Sequence, residues 1–101
     1  MKILLLPNAA CDLEIGADFY DAQQQGIGEY FLASLTTDIE SLKLYAGIHA
    51  EHLGFYRVKS KRFPFAIYYQ IRNETIIVFA VLDCRMRPKD IQERLGREGT
   101  R

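Results

Sequence analysis

Hydrophobic positions change their spacing along this chain, and each change marks an element. Residues 2–6 are apolar at nearly every position, which predicts a short strand ended by Pro7. Asn8 is placed to cap a helix, in which Ala10, Leu13, Ala17, Tyr20 and Gln24 form one stripe. Asp12, Glu14, Asp18 and Asp21 fall largely outside that stripe. Gly26 and Gly28 punctuate a turn, and Phe31, Leu35, Ile39, Leu42 and Tyr45 then recur at helical spacing over 28–45. Two amphipathic helices joined this tightly predict an antiparallel helical hairpin, ended at Gly47.

Beyond Gly54 the period falls to two. In "GFYRVKSKR", Arg57, Lys59 and Lys61 alternate with Tyr56 and Val58. "FPFAIYYQI" places Phe63, Phe65, Ile67, Tyr69 and Ile71 on one face, with Pro64 at the strand start where a missing N–H matters least. "RNET" reads as a hairpin turn, and the unbroken run Ile76–Leu82 as a strand buried on both faces. After Pro88 a short helix, Lys89–Leu95, leads into a polar tail. The expected fold is α+β: an N-terminal strand, a helical hairpin on one face of a mostly antiparallel sheet of about four strands, and a short C-terminal helix. The domain is expected to span 1–96, with 97–101 as tail. A hairpin covers only one face, so the other is left to the C-terminal helix and to a partner.

Composition narrows the class. The 101 residues suit one domain, and 49% apolar with 26% charged is ordinary for a globular chain. Net charge is zero, yet residues 1–54 carry two Lys/Arg against eight Asp/Glu, and residues 55–101 eleven against five. That division, −6 then +6, predicts one basic surface. The opening "MKILLLPNAAC" imitates an export signal, but its apolar run Ile3–Leu6 is too short, and no segment reaches membrane-spanning length. A cytoplasmic chain is expected, without membrane contact, with Cys11 and Cys84 as small buried hydrophobes. No metal-ligand spacing and no phosphate-binding glycine loop is present, so no cofactor is expected.

Cations carry the candidate chemistry: Arg57, Lys59, Lys61 and Arg62 in or beside one strand, Arg85 and Arg87 after the last. Each also has a plain structural role. Lys59, Lys61 and Arg62 can blunt a strand edge, Arg85 and Arg87 can pair with the acidic helices, and Tyr68 and Tyr69 can simply pack.

Three stretches taken together carry a resemblance across nearly the whole chain. They are "AACDLEIGADFYDAQQQGIGEYFLASL", "GFYRVKSKRFPFAIYYQI" and "IIVFAVLDCRMRPKDIQERL", of which "KRFPFAIYY" is the most specific. They resemble the RelE/ParE superfamily of bacterial toxins, and within it the ParE-like, plasmid-stabilisation branch. The resemblance implies a toxin of a type II toxin–antitoxin module, held silent in a hetero-oligomer by a cognate antitoxin with a DNA-binding N-terminal domain. It implies DNA gyrase as the target, or, in RelE-like members, messenger RNA cut on the ribosome.

Ribonuclease chemistry needs a base for the 2′-OH, cations for the phosphate and a donor to the leaving oxygen. "DCRMRPKDIQERLGREGTR" lacks the His or Tyr that nuclease branches often use there. Asp83 stands where many members have His, and Arg85 beside it should lower its pKa, which weakens it as a base. If the chain is a nuclease, Arg62, Asp83 and Arg85 are its candidates. His49 and His52 serve only if their loop folds back. The favoured expectation is a non-enzymatic ParE-like inhibitor using Arg57, Lys59, Lys61, Arg62, Tyr68, Arg85 and Arg87 to meet target or antitoxin. The alternatives are a RelE-like endoribonuclease and a decayed toxin that only titrates antitoxins.

Overall fold

The computed structural model describes residues 1–99, in the order β1 (Lys2–Leu5), α1 (Pro7–Gln23), α2 (Ile27–Glu40), α3 (Leu42–Tyr45), β2 (Glu51–His52), β3 (Phe55–Lys59), β4 (Phe65–Arg72), β5 (Thr75–Asp83) and α4 (Pro88–Gly99). The sheet runs β1-β5-β4-β3-β2. Its β2–β3, β3–β4 and β4–β5 pairs are antiparallel, while β1 lies parallel to β5. The α+β architecture is therefore as expected, with five strands rather than four. The extra strand forms because Leu53 (φ 55°) and Gly54 (φ 87°) turn the loop back, so that Glu51 pairs with Tyr56 and His52 with Phe55.

Local chemistry moves several boundaries. Pro7 is the first helical residue of α1, where its preset φ helps, and Leu6 stands at the N-cap. Asn8 is thus already inside the helix, and its Nδ2 donates to Glu98 Oε2 at 3.0 Å instead of capping. Asp21 Oδ1 accepts from the N–H groups of Gly26 (3.1 Å) and Gly28 (2.7 Å), closing the hairpin turn. A Cβ on Gly28 would lie 2.6 Å from the Ala17 carbonyl oxygen, so glycine there lets the two helices meet. The long second helix breaks at Ser41, whose Oγ donates to the Asp38 carbonyl at 2.6 Å. Helix α4 runs past Leu95 to Gly99, taking in the start of the expected tail; residues 100 and 101 lie outside those described.

The sheet separates two cores. Between sheet and hairpin lie Phe31, Leu35, Leu42, Ile67, Tyr69 and Ile76, all at 0% exposure. Between sheet and α4 lie Phe55, Ala66, Tyr68, Phe79, Ile91 and Leu95. Each large apolar side chain so buried contributes roughly 1.5–3 kcal/mol. A register shift allows β5 to serve both cores: Tyr69 pairs with Val78 and Tyr68 with Ala80, leaving Phe79 as the extra residue of a bulge.

One ionic cluster ties the layers together. β1 pairs with β5 only as far as Val78. Beyond it, the Val81 N–H donates to Asp12 Oδ2 (2.9 Å) and the Phe79 carbonyl accepts from Arg94 Nη2 (3.3 Å). Arg94 clasps Asp12 with both Nη atoms (2.7 and 2.8 Å) and donates through Nε to Glu98 Oε2 (2.8 Å). Helices α1 and α4 are thereby fastened to the bulged strand. Among the described residues no helix is long and apolar enough to cross a membrane.

Candidate functional site

The basic residues do not form the single surface that the charge division suggested. Arg57 pairs across from Tyr68 and Lys59 from Ala66, which sets both cations on the α4 side of the sheet. Lys61 leaves that alternation, because β3 ends at Lys59 and the chain bends towards α2. Asp38, buried in α2, holds the bend: its Oδ2 accepts from Ser60 Oγ (2.7 Å) and from the Lys61 N–H (3.3 Å). Arg62 lies on the same side, where Nη1 donates to Tyr30 Oη at 3.0 Å.

Arg85 touches α1 only through the Tyr20 hydroxyl, to which Nη2 donates at 3.5 Å, and the carboxylates that Arg85 and Arg87 hold are not those of the acidic helices. Arg85 holds Asp83 through Nε (2.9 Å) and Nη2 (2.7 Å), and Arg87 pairs with Asp90 at 2.9 Å. The bridge from the basic half to α1 is made instead by Arg94 and Asp12, which α4 carries inward. Hydrogen bonds from Arg85 hold the Asp83 carboxyl below its ordinary pKa, so this group stays ionised and engaged. Of the three nuclease candidates, Asp83 and Arg85 bond each other and Arg85 also reaches Tyr20 of α1, while Arg62 is bonded to Tyr30 of α2. Cys11 is exposed and Cys84 half-buried, and both are free thiols, so only Cys84 approaches the expected buried setting.

Two concave features stand beside these residues. On the α4 side, a pocket of about 240 Å³ is lined by His52, Arg57, Tyr68, Cys84, Met86 and Ile91, among others. Arg57 Nε donates to Tyr68 Oη (3.1 Å) and Nη2 reaches Cys84 Sγ (3.6 Å). The bond to Tyr68 raises the Arg57 pKa still further above neutrality. His52 arrives there because β2 folds onto β3, the condition its loop had to meet. His49, by contrast, turns to the hairpin side, its Nδ1 2.6 Å from Tyr69 Oη.

The second feature is a groove of about 340 Å³ beside the β5 edge past the end of β1, lined by Ile15, Phe19, Phe65, Leu82 and Met86 among others. Ile15 and Phe19 are 63% and 48% exposed, so α1 carries a second apolar row besides its core stripe. That row is legible in the sequence as an i,i+4 apolar pair, offset from the stripe built from Leu13 and Ala17. Asp12 and Arg94 line the groove as well, and so does Asp83.

Neither a protein-family model nor a curated protein sequence matches the chain. Among solved structures it is similar to a chain of the chromosomal ParDE TA system from P. aeruginosa, with a TM-score of 0.73 and 17% identity over 80% of this chain and 92% of that one. At that identity the likeness establishes the architecture: this chain has the fold of a ParDE-system component.

Proposed function

We propose that this chain is the toxin of a type II toxin–antitoxin module of the ParE type. In this reading it inhibits growth through DNA gyrase without catalysing a reaction, and a cognate antitoxin silences it by direct binding. The reading is carried by the exposed apolar groove beside β5, on a fold shared with a ParDE-system chain. A monomer gains nothing from leaving Ile15 and Phe19 in water, whereas an apolar segment of an antitoxin would bury them. The engagement of Asp83 by Arg85 supports a non-enzymatic role, because a base held as an ion-paired carboxylate accepts protons poorly. Arg57, Lys59 and Tyr68 on the α4 side, and Lys61, Arg62, Arg85 and Arg87 elsewhere, are proposed to meet target or antitoxin.

The test is induction in a bacterial host with and without the candidate antitoxin. Colonies should be lost with the chain alone and restored by the antitoxin. Phe19→Glu should stay folded and toxic but escape rescue, because a charge would be forced into the groove. Purified protein should block supercoiling by gyrase, and RNA from induced cells should show no new ribosome-phased ends. New ends would establish the ribonuclease alternative. Full survival with soluble protein would overturn toxicity and leave a module that only titrates antitoxins.

A further inference from the structure

The groove beside β5 has one wall closed to a partner's backbone and one wall open to its side chains. The closed wall is the strand edge. A further strand past the end of β1 would need the Val81 N–H and the Phe79 carbonyl, and these are held by Asp12 (2.9 Å) and Arg94 (3.3 Å). An extended segment cannot join the sheet there without displacing a carboxylate and a guanidinium that also hold each other. The open wall is α1. Cys11, Ile15, Phe19 and Ala22, all exposed, recur along it at helical spacing. Glu14 and Asp18, also exposed, flank that row on the side opposite Asp12, which faces β5. Among the described residues no side-chain hydrogen bond or ion pair engages either acid.

Resting on the reading of this groove as the seat of an antitoxin segment, we propose that the segment docks as an amphipathic helix with a row of lysines or arginines along the flank that faces Glu14 and Asp18. A helix satisfies its own backbone groups, so it needs none from the occupied edge of β5. Its apolar row packs between Ile15 and Phe19 on one side and Leu82 and Met86 on the other. The flank beyond α1 then meets two acids that have no cation of their own chain. A basic flank is attracted there and an acidic one repelled, so the charge row selects the partner. The same row argues against a second copy of this chain. A two-fold axis across α1 would pair the helices antiparallel and set Glu14 and Asp18 of one copy against the same acids of the other.

Two fluorescein-labelled helical peptides test the charge sign. Both carry the same leucine row, and one has lysines along its flank where the other has glutamates. Purified full-length protein is titrated into each, and fluorescence anisotropy reads the affinity at low and at high salt. The lysine peptide should bind saturably and about tenfold more tightly than the glutamate peptide at low salt, with the ratio shrinking as salt rises. Glu14→Gln with Asp18→Asn, both at exposed positions, should bring the two affinities together. Ile15→Ser with Phe19→Ser, also exposed, should remove saturable binding of both peptides. Sedimentation velocity should show a monomer. The proposal is overturned by equal affinities, by a preference that survives in Glu14→Gln/Asp18→Asn, by binding that survives in Ile15→Ser/Phe19→Ser, or by no saturable binding. A dimer dissociated by Ile15→Ser/Phe19→Ser would overturn it in favour of a second copy. None of these readouts requires toxicity, so colonies that survive induction leave the peptide result standing, and equal peptide affinities leave toxicity and its rescue standing.

Discussion

Replacing Asp12 by alanine removes three hydrogen bonds at the point where α1, β5 and α4 meet. The carboxylate accepts from both Nη atoms of Arg94 and from the Val81 N–H, and the two side chains are only 10% and 16% exposed. Solvent therefore screens the pair little. Removing one partner of such a buried pair costs roughly 3–5 kcal/mol. An orphaned backbone N–H adds about 1–3 kcal/mol when taken alone. These figures overlap, and Arg94 keeps Glu98 and the Phe79 carbonyl as partners, so the lower end applies: about 3 kcal/mol. Asp12→Asn keeps an acceptor for Val81 and should cost about 1 kcal/mol less than alanine. Urea unfolding followed by far-ultraviolet circular dichroism measures both, with an unchanged slope showing that the same surface unfolds. A cost under about 1 kcal/mol for alanine would mean that the cluster is solvated and does not fasten the layers. Equal costs for the two variants would mean that the Val81 bond contributes nothing.

Two further outcomes follow from single contacts. A Cβ at Gly16 would stand 2.5 Å from Phe31 Cζ in the centre of the hairpin core, so Gly16→Ala should lower stability by about 1–3 kcal/mol in the same urea assay. A gain, as expected of alanine in an unobstructed helix, would refute the close approach. Burial holds the pKa of His49 below its ordinary 6.5, so the unfolded chain takes up the proton first. Its contribution is complete above pH 6.5 and is lost as the pH falls through the lowered folded value. Tyr69 Oη accepts from the Gly47 N–H and stands 2.6 Å from His49 Nδ1, with the tautomer of the imidazole setting which of the two donates. His49→Asn should therefore flatten the decline of the unfolding midpoint just below neutrality; an unaltered decline would refute the linkage.

The α+β order of elements was legible because it rests on period alone. Leu35, Ile39 and Leu42 at helical spacing, Phe65, Ile67 and Tyr69 at spacing two, and the unbroken Ile76–Leu82 run each require one kind of partner surface. The resemblance added the expectation of a ParDE-like fold, which the likeness of structure supports. Boundaries were less legible where short-range competition sets them. Ser41 broke a helix whose apolar spacing continued through it, and Pro7 displaced the expected cap by two residues, from Asn8 to Leu6.

What the tertiary structure decided is which charges meet. Linear proximity put Lys59, Lys61 and Arg62 together, but a strand ending at Lys59 sends its neighbours to opposite faces of the sheet. Asp12 and Arg94, 82 residues apart, meet because β5 runs past the end of β1 and needs a backbone partner there. His52 reaches Arg57 and Tyr68 only through a two-residue strand, too short to register as a pattern. Side-chain spacing records the face that a residue shares with its own element. It holds no record of the strand edge or helix end that another element brings alongside, and both candidate sites of this protein are built from such meetings.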